Sequence, residues 1–201
     1  MITSASIIGI AGCALLMIYF GLIACRARRQ SFKIRAVLLL AGIVLALWPV
    51  GGLPLAGYLR GFTGDLSVTT LILTLSACIS IFVDKEIFRQ SSLTALLFLV
   101  VAGAQFLYPF ALGLTYFDPY SLGYGSTAFA VVLSLLCLVA WYLDLYLVLL
   151  CVTLAIIAFL LGLFESNNLW DYLIDPWISL YALIRIIKDF ISSHSPLERI
   201  S

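Results

Sequence analysis

Long apolar runs alternate with short polar breaks from one end of the chain to the other. Residues 5–24 form the first run, and about 20 residues at 1.5 Å each match a hydrocarbon core of roughly 30 Å. The second, residues 36–58, is broken by Trp48-Pro49-Val50-Gly51-Gly52-Leu53-Pro54, where two prolines remove backbone donors. The third covers 66–83. The fourth covers 93–113, with Ser91 or Ser92 placed to cap its start and Pro109 expected to kink its far end. Residues 126–164 are then apolar for 39 positions except Asp144. One helix of that length would measure about 58 Å, nearly twice the hydrocarbon thickness, so two spans are predicted, 126–141 and 146–164. The turn between them falls at Trp141-Tyr142-Leu143-Asp144-Leu145-Tyr146.

Beyond the polar stretch 165–177, the pattern predicts an amphipathic helix over 176–191. Trp177, Leu180, Tyr181, Ile184 and Ile191 share one face, and Ala182, Arg185, Asp189 and Ser192 the other. Its uncharged part before Arg185 is too short to cross, so it is expected to lie at the interface. The predicted fold class is all-α: a single integral membrane domain over 1–201, a polytopic helical bundle of six transmembrane helices plus the C-terminal interfacial helix.

Composition agrees with this pattern. The chain is 64% hydrophobic and 10% charged, against about half and a quarter in soluble domains. Five of the eleven Lys and Arg residues (Arg26, Arg28, Arg29, Lys33, Arg35) follow the first run and none precedes it. A cleaved signal peptide would need the opposite order, and the positive-inside rule makes this loop cytoplasmic and the N-terminus external. Short loops and compactness suggest a multi-pass protein of a bacterial inner (cytoplasmic) membrane. Near-neutral net charge and segregated basic residues exclude nucleic acid as a partner. Five cysteines without Cys-x-x-Cys spacing and a single histidine, His194, give no basis for a metal, a haem or any other cofactor. The partners expected are membrane lipids, with a membrane protein or a second copy of the chain as further alternatives.

Candidate chemistry gathers in residues 165–177, Glu-Ser-Asn-Asn-Leu-Trp-Asp-Tyr-Leu-Ile-Asp-Pro-Trp, and in its echo, Tyr116-Phe117-Asp118-Pro119-Tyr120. On the six-span topology Arg60, Asp65, Asp118, Glu165, Asp171 and Asp175 all arrive on the outer face. They could form a carboxylate site for acid and base work, or a structural rim of helix caps and interfacial aromatics. Asp175, directly before Pro176, reads as an N-cap, and Arg60 is placed to pair with Asp65. Ser67, Thr70 and Thr74 recur at helical spacing and suit interhelical hydrogen bonds. Pro49 and Pro54 predict a partly non-helical segment at 48–57 bordering a polar or ligand-sized cavity, because lipid cannot satisfy the freed carbonyls.

No Gly-Lys-Ser/Thr phosphate loop, Gly-x-Ser-x-Gly elbow or His-Glu-x-x-His pair occurs. No predicted span carries an ionisable residue near its centre, which argues against autonomous ion-coupled transport. The string Gly57-Tyr58-Leu59-Arg60-Gly61-Phe62, after Pro54, is similar to the glycine-rich segment of the biotin-binding membrane subunits of vitamin transporters. That resemblance implies a small-molecule-binding subunit. The expected function is a non-catalytic structural or accessory envelope component; the alternatives are a small-molecule or lipid-binding transporter subunit, or a membrane enzyme using the outer carboxylates.

Overall fold

The computed structural model describes residues 4–114 and 117–194. The protein is all-helical in character, 79% helix with nine α-helices among the described residues, and its only described strands form one small hairpin. The helices are α1 (Ser4–Ala24), α2 (Phe32–Leu47), α3 (Leu55–Thr63), α4 (Val68–Val83), α5 (Gln90–Pro109), α6 (Thr127–Tyr142), α7 (Tyr146–Leu160), α8 (Leu169–Leu173) and α9 (Pro176–His194). Two of them, over Ala5–Ala24 and Gln90–Pro109, are long and apolar enough to cross a membrane, and α4, α6 and α7 are apolar but shorter.

The chain breaks where backbone chemistry requires it. The apolar run at 126–164 is divided after Tyr142, where Asp144 takes a left-handed conformation (φ 56°) and Leu145 N–H returns to Ala140 O. The Pro49-to-Pro54 segment is a two-stranded hairpin, β1 (Pro49–Val50) against β2 (Leu53–Pro54). Its two turn residues, Gly51 (φ 57°) and Gly52 (φ 90°), occupy the positive-φ region that such a tight turn demands. The hairpin also removes the reason for expecting a cavity there. Leu55 N–H bonds Trp48 O and the Tyr58 hydroxyl bonds Val50 O, so carbonyls in this segment are satisfied locally. Gly57 to Phe62, expected from the resemblance to be a glycine-rich segment, lie within α3.

α7 forms the middle of the bundle, packed by α4, α5, α6 and α8, while α1 carries α2, α3 and α4 on its flanks. Along α7 the buried side chains Leu147, Val148, Cys151, Val152, Ala155 and Ala158 follow helical spacing. Ser92 does not cap its own helix, as the sequence suggested. Its hydroxyl instead accepts Leu147 N–H at 3.0 Å, filling the uncapped start of α7.

α9 packs against α5. Its buried side chains include Ile178 (5% exposed) and Ala182 (0%), so a residue assigned to the polar face makes the close helix contact. Trp177, Leu180, Tyr181, Ile184 and Ile191 are exposed, Trp177 and Tyr181 beside α1 and α3. A small alanine lets two backbones approach.

Candidate functional site

One end of the bundle carries the acidic stretch, and here the Asp118-Pro119 turn meets α8. Asp118 Oδ1 caps its own one-turn helix (Pro119–Gly123) through Tyr120 N–H at 2.9 Å. Asn168, fully buried, caps α8 through Trp170 N–H at 3.0 Å and sends its amide to Tyr120 O at 2.8 Å. Trp170 Nε1–H reaches Pro119 O at 2.9 Å and its ring stacks on Phe129 at 4.5 Å. Asp171 receives the Tyr120 and Ser166 hydroxyls at 2.9 and 2.5 Å. Burial, and then the adjacent Asp171 carboxylate, push the Tyr120 phenol well above its ordinary range. Gly123 is required at this junction, because a Cβ there would fall on the Asn168 side-chain oxygen. Tyr172, with 0% exposure, stacks on Phe164 at 4.6 Å and accepts Phe164 N–H at 3.1 Å.

Asp175 is buried (5% exposed) and bonded on both oxygens. Oδ1 accepts Trp177 N–H at 2.8 Å and Ile178 N–H at 2.9 Å, capping α9. Oδ2 accepts Ser67 N–H at 2.8 Å and the Thr70 hydroxyl at 2.5 Å, at the start of α4. One carboxylate therefore serves two helix N-termini, where both dipoles favour its charge. Of the hydroxyl stripe, Ser67 and Thr70 belong to this joint, whereas the Thr74 hydroxyl bonds back to Thr70 O within α4.

The remaining candidates form a third knot. Arg60 pairs with Asp65 at 2.6 Å and with Glu165 at 2.9 Å, and Ser6 on α1 donates to Glu165 at 3.0 Å. Hydrogen bonds from Arg60 and then Ser6 hold the Glu165 carboxyl below its usual range, and Asp65 raises the Arg60 guanidinium further above neutrality. Gly9 clears the space: a Cβ there would collide with the Arg60 and Asp65 side chains. The structure thus brings Arg60, Asp65 and Glu165 together, ties Asp171 to the Asp118 turn, and sets Asp175 apart as a joint. Among the described residues no buried side-chain oxygen or nitrogen lacks a partner, and no three His, Cys, Asp or Glu side chains converge as a metal site.

The opposite, basic end carries a residue the sequence counted only as loop charge. Arg35, 7% exposed, donates to Gln30 O, Arg28 O, Ile81 O, Phe82 O and Asp84. It closes the C-terminus of α4 and fastens the loop after α1 onto it, and its hydrogen bond holds the Asp84 carboxyl below the ordinary range. An arginine one residue before a long apolar run was the available signal.

Between the two ends runs a lateral groove of about 1090 Å³. α1 and α9 form its sides and α4 its floor, with Thr70, Thr74, Ala77 and Ser80 along one face. Phe62 and Trp177, whose rings lie 5.8 Å apart, stand at the acidic end; Arg26, Arg29 and Arg185 line the basic end. α3 borders the groove through Leu59, Phe62 and Thr63, but the hairpin before it does not. No family model, curated protein or solved structure matches this chain.

Proposed function

We propose that this chain is a multi-pass protein of a bacterial inner membrane, N-terminus outside, that holds an amphiphile in its lateral groove without transforming it. The groove carries the reading: its volume of about 1090 Å³ is at the upper edge of ordinary ligand pockets, roughly 300–1,000 Å³. Its lining combines alkyl side chains, hydroxyls and arginines, the chemistry of a molecule with a tail and a polar head. The outer carboxylates favour support over catalysis, since Asp65, Asp171, Asp175 and Glu165 are each engaged in bonds that tie elements together.

Six crossings, α1, α2, α4, α5, α6 and α7, follow from the sequence pattern, and α9 is best read as a seventh. It starts beside Thr63 at the acidic end, and its Tyr181 and Arg185 line the same groove as Tyr19 and Arg29 further on. A helix beside α5 in a lipid bilayer shares the depth of α5. On this topology Arg60 is the only described basic residue on the outside, and Lys188 approaches the cytoplasm. The wide exposure of Leu40, Phe98, Val131, Leu135 and Leu138 also suits lipid better than water.

A structural or accessory role with a membrane partner or a second copy is the second reading. It is favoured by α6, whose apolar side chains are mostly exposed, with buried contacts at Phe129, Leu133 and Ala140. Extraction and mass spectrometry of small molecules bound to the purified protein separate the two. The groove reading expects a stoichiometric amphiphile that is lost when Ala77→Phe fills the floor. Equal retention by the variant, or no bound amphiphile at all, would leave the accessory role.

A further inference from the structure

We infer that the groove is selective for an anionic phospholipid of the inner leaflet, with its phosphate held by Arg26 and Arg29 and an acyl chain lying along α4. This rests on the groove being a ligand site and adds the identity of the head. Four arginines line the basic end, and they are not equivalent. Arg28 is held by Glu86 at 3.4 Å and Arg185 by Asp189 at 3.2 Å. Arg26 and Arg29 have no side-chain hydrogen bond or ion pair among the described residues. Two guanidiniums are therefore left at one mouth, and guanidinium matches a phosphate by paired N–H bonds. Arg26 is also fixed in a left-handed conformation (φ 50°), at the turn that leads from α1 into the one-turn helix Ala27–Arg29.

The rest of the groove suits what a phosphate would bring with it. From Thr70 to Ser80 the floor extends about 15 Å at helical rise, and Leu16, Ile23 and Leu73 add alkyl surface beside it. The far end is closed by the rings of Phe62 and Trp177 rather than by charge. A free anion would find nothing to occupy that length, and a zwitterionic lipid would bring a cation to arginines. An anionic head with a tail meets both ends.

The test uses the full chain, delipidated in a neutral detergent, titrated with phosphatidylglycerol or phosphatidylcholine of identical chains and read by native mass spectrometry. The wild type is expected to retain phosphatidylglycerol preferentially. Arg26→Gln with Arg29→Gln should lower that preference by about fivefold per guanidinium. Lys33→Gln, an exposed charge outside the groove, should behave as wild type. Unchanged preference in the double variant, or an equal loss in Lys33→Gln, overturns the head-group assignment and leaves the groove reading standing. Full displacement of phosphatidylglycerol by excess inorganic phosphate would also overturn it, in favour of a free-anion site. Ala77→Phe, with Ala77→Leu as the milder version should the first not elute as a folded species, should abolish uptake of both lipids. Unimpaired uptake by a folded Ala77 variant sinks the groove itself.

Discussion

A carboxylate that caps two helices has a different mutational signature from one that caps a single helix. Asp175 before Pro176 was legible as the cap of α9. Its second duty was not, because Ser67 lies 108 residues earlier. For a single cap asparagine would suffice, since it keeps an acceptor for Trp177 and Ile178. For the joint it fails, because the Asn amide would face Ser67 N–H, a donor that cannot be turned. Asp175→Asn is accordingly expected to cost about 1–3 kcal/mol, with Asp175→Ala costing more, in thermal unfolding in detergent. An Asn variant that melts with the wild type would reduce Asp175 to an ordinary cap. Arg35 gives the corresponding prediction at the basic end. Arg35→Lys should not rescue the loss caused by Arg35→Met, because one ammonium cannot serve the carbonyls of residues 28, 30, 81 and 82 together. Equal stability of the Lys variant and the wild type would contradict that account.

Elements here are fastened by caps that come from other elements. α7 is capped by Ser92 of α5, α4 by Asp175 at one end and Arg35 at the other, and the loop after α7 is held to α1 by Glu165 and Ser6. The last tie should be sensitive to acid. The folded carboxyl of Glu165 sits below its unfolded value, so the stabilisation is complete above about pH 4.3 and is lost as pH falls through the folded value. Spin labels at exposed Ile7 and Asn167 should keep one distance from pH 8 to about 5 and broaden as pH falls through the folded value. An unchanged distribution at pH 3 would mean that Glu165 does not hold the two segments.

The helix pattern was largely readable because a run of apolar residues has a length that the bilayer and the 1.5 Å rise constrain. The break near Asp144 followed from that arithmetic. Capping between elements was not readable, since it depends on pairs such as Ser67 and Asp175 or Ser92 and Leu147 that no local spacing relates. The six candidate residues could be assigned to one end of the bundle. Their division into an ion-pair knot, a turn-to-turn junction and a double cap needed the third dimension. The contact that Ala182 makes was not readable, since a small residue gives no mark of burial in the sequence pattern.

At the scale of the whole molecule, the depth of α9 decides where the C-terminal region lies. If α9 crosses beside α5, a cysteine at Ser192 is modified only by reagents that reach the cytoplasm, as is one at Ser31. Labelling of Ser192→Cys from outside intact cells, with Ser31→Cys protected, would return α9 to the outer interface.

The double cap also bears on the order in which the protein can be completed. The chain emerges from the ribosome N-terminus first, so Ser67 and Thr70 are made long before the carboxylate that satisfies them. Throughout that interval the start of α4 has donors without their final acceptor, however well α1 to α4 have already packed. The bond from Asp175 forms only once nearly the whole bundle exists, and it closes the beginnings of α4 and α9 in one step. A nascent chain that stalls before residue 175 therefore leaves the start of α4 without this acceptor and α5 without the helix that packs on it.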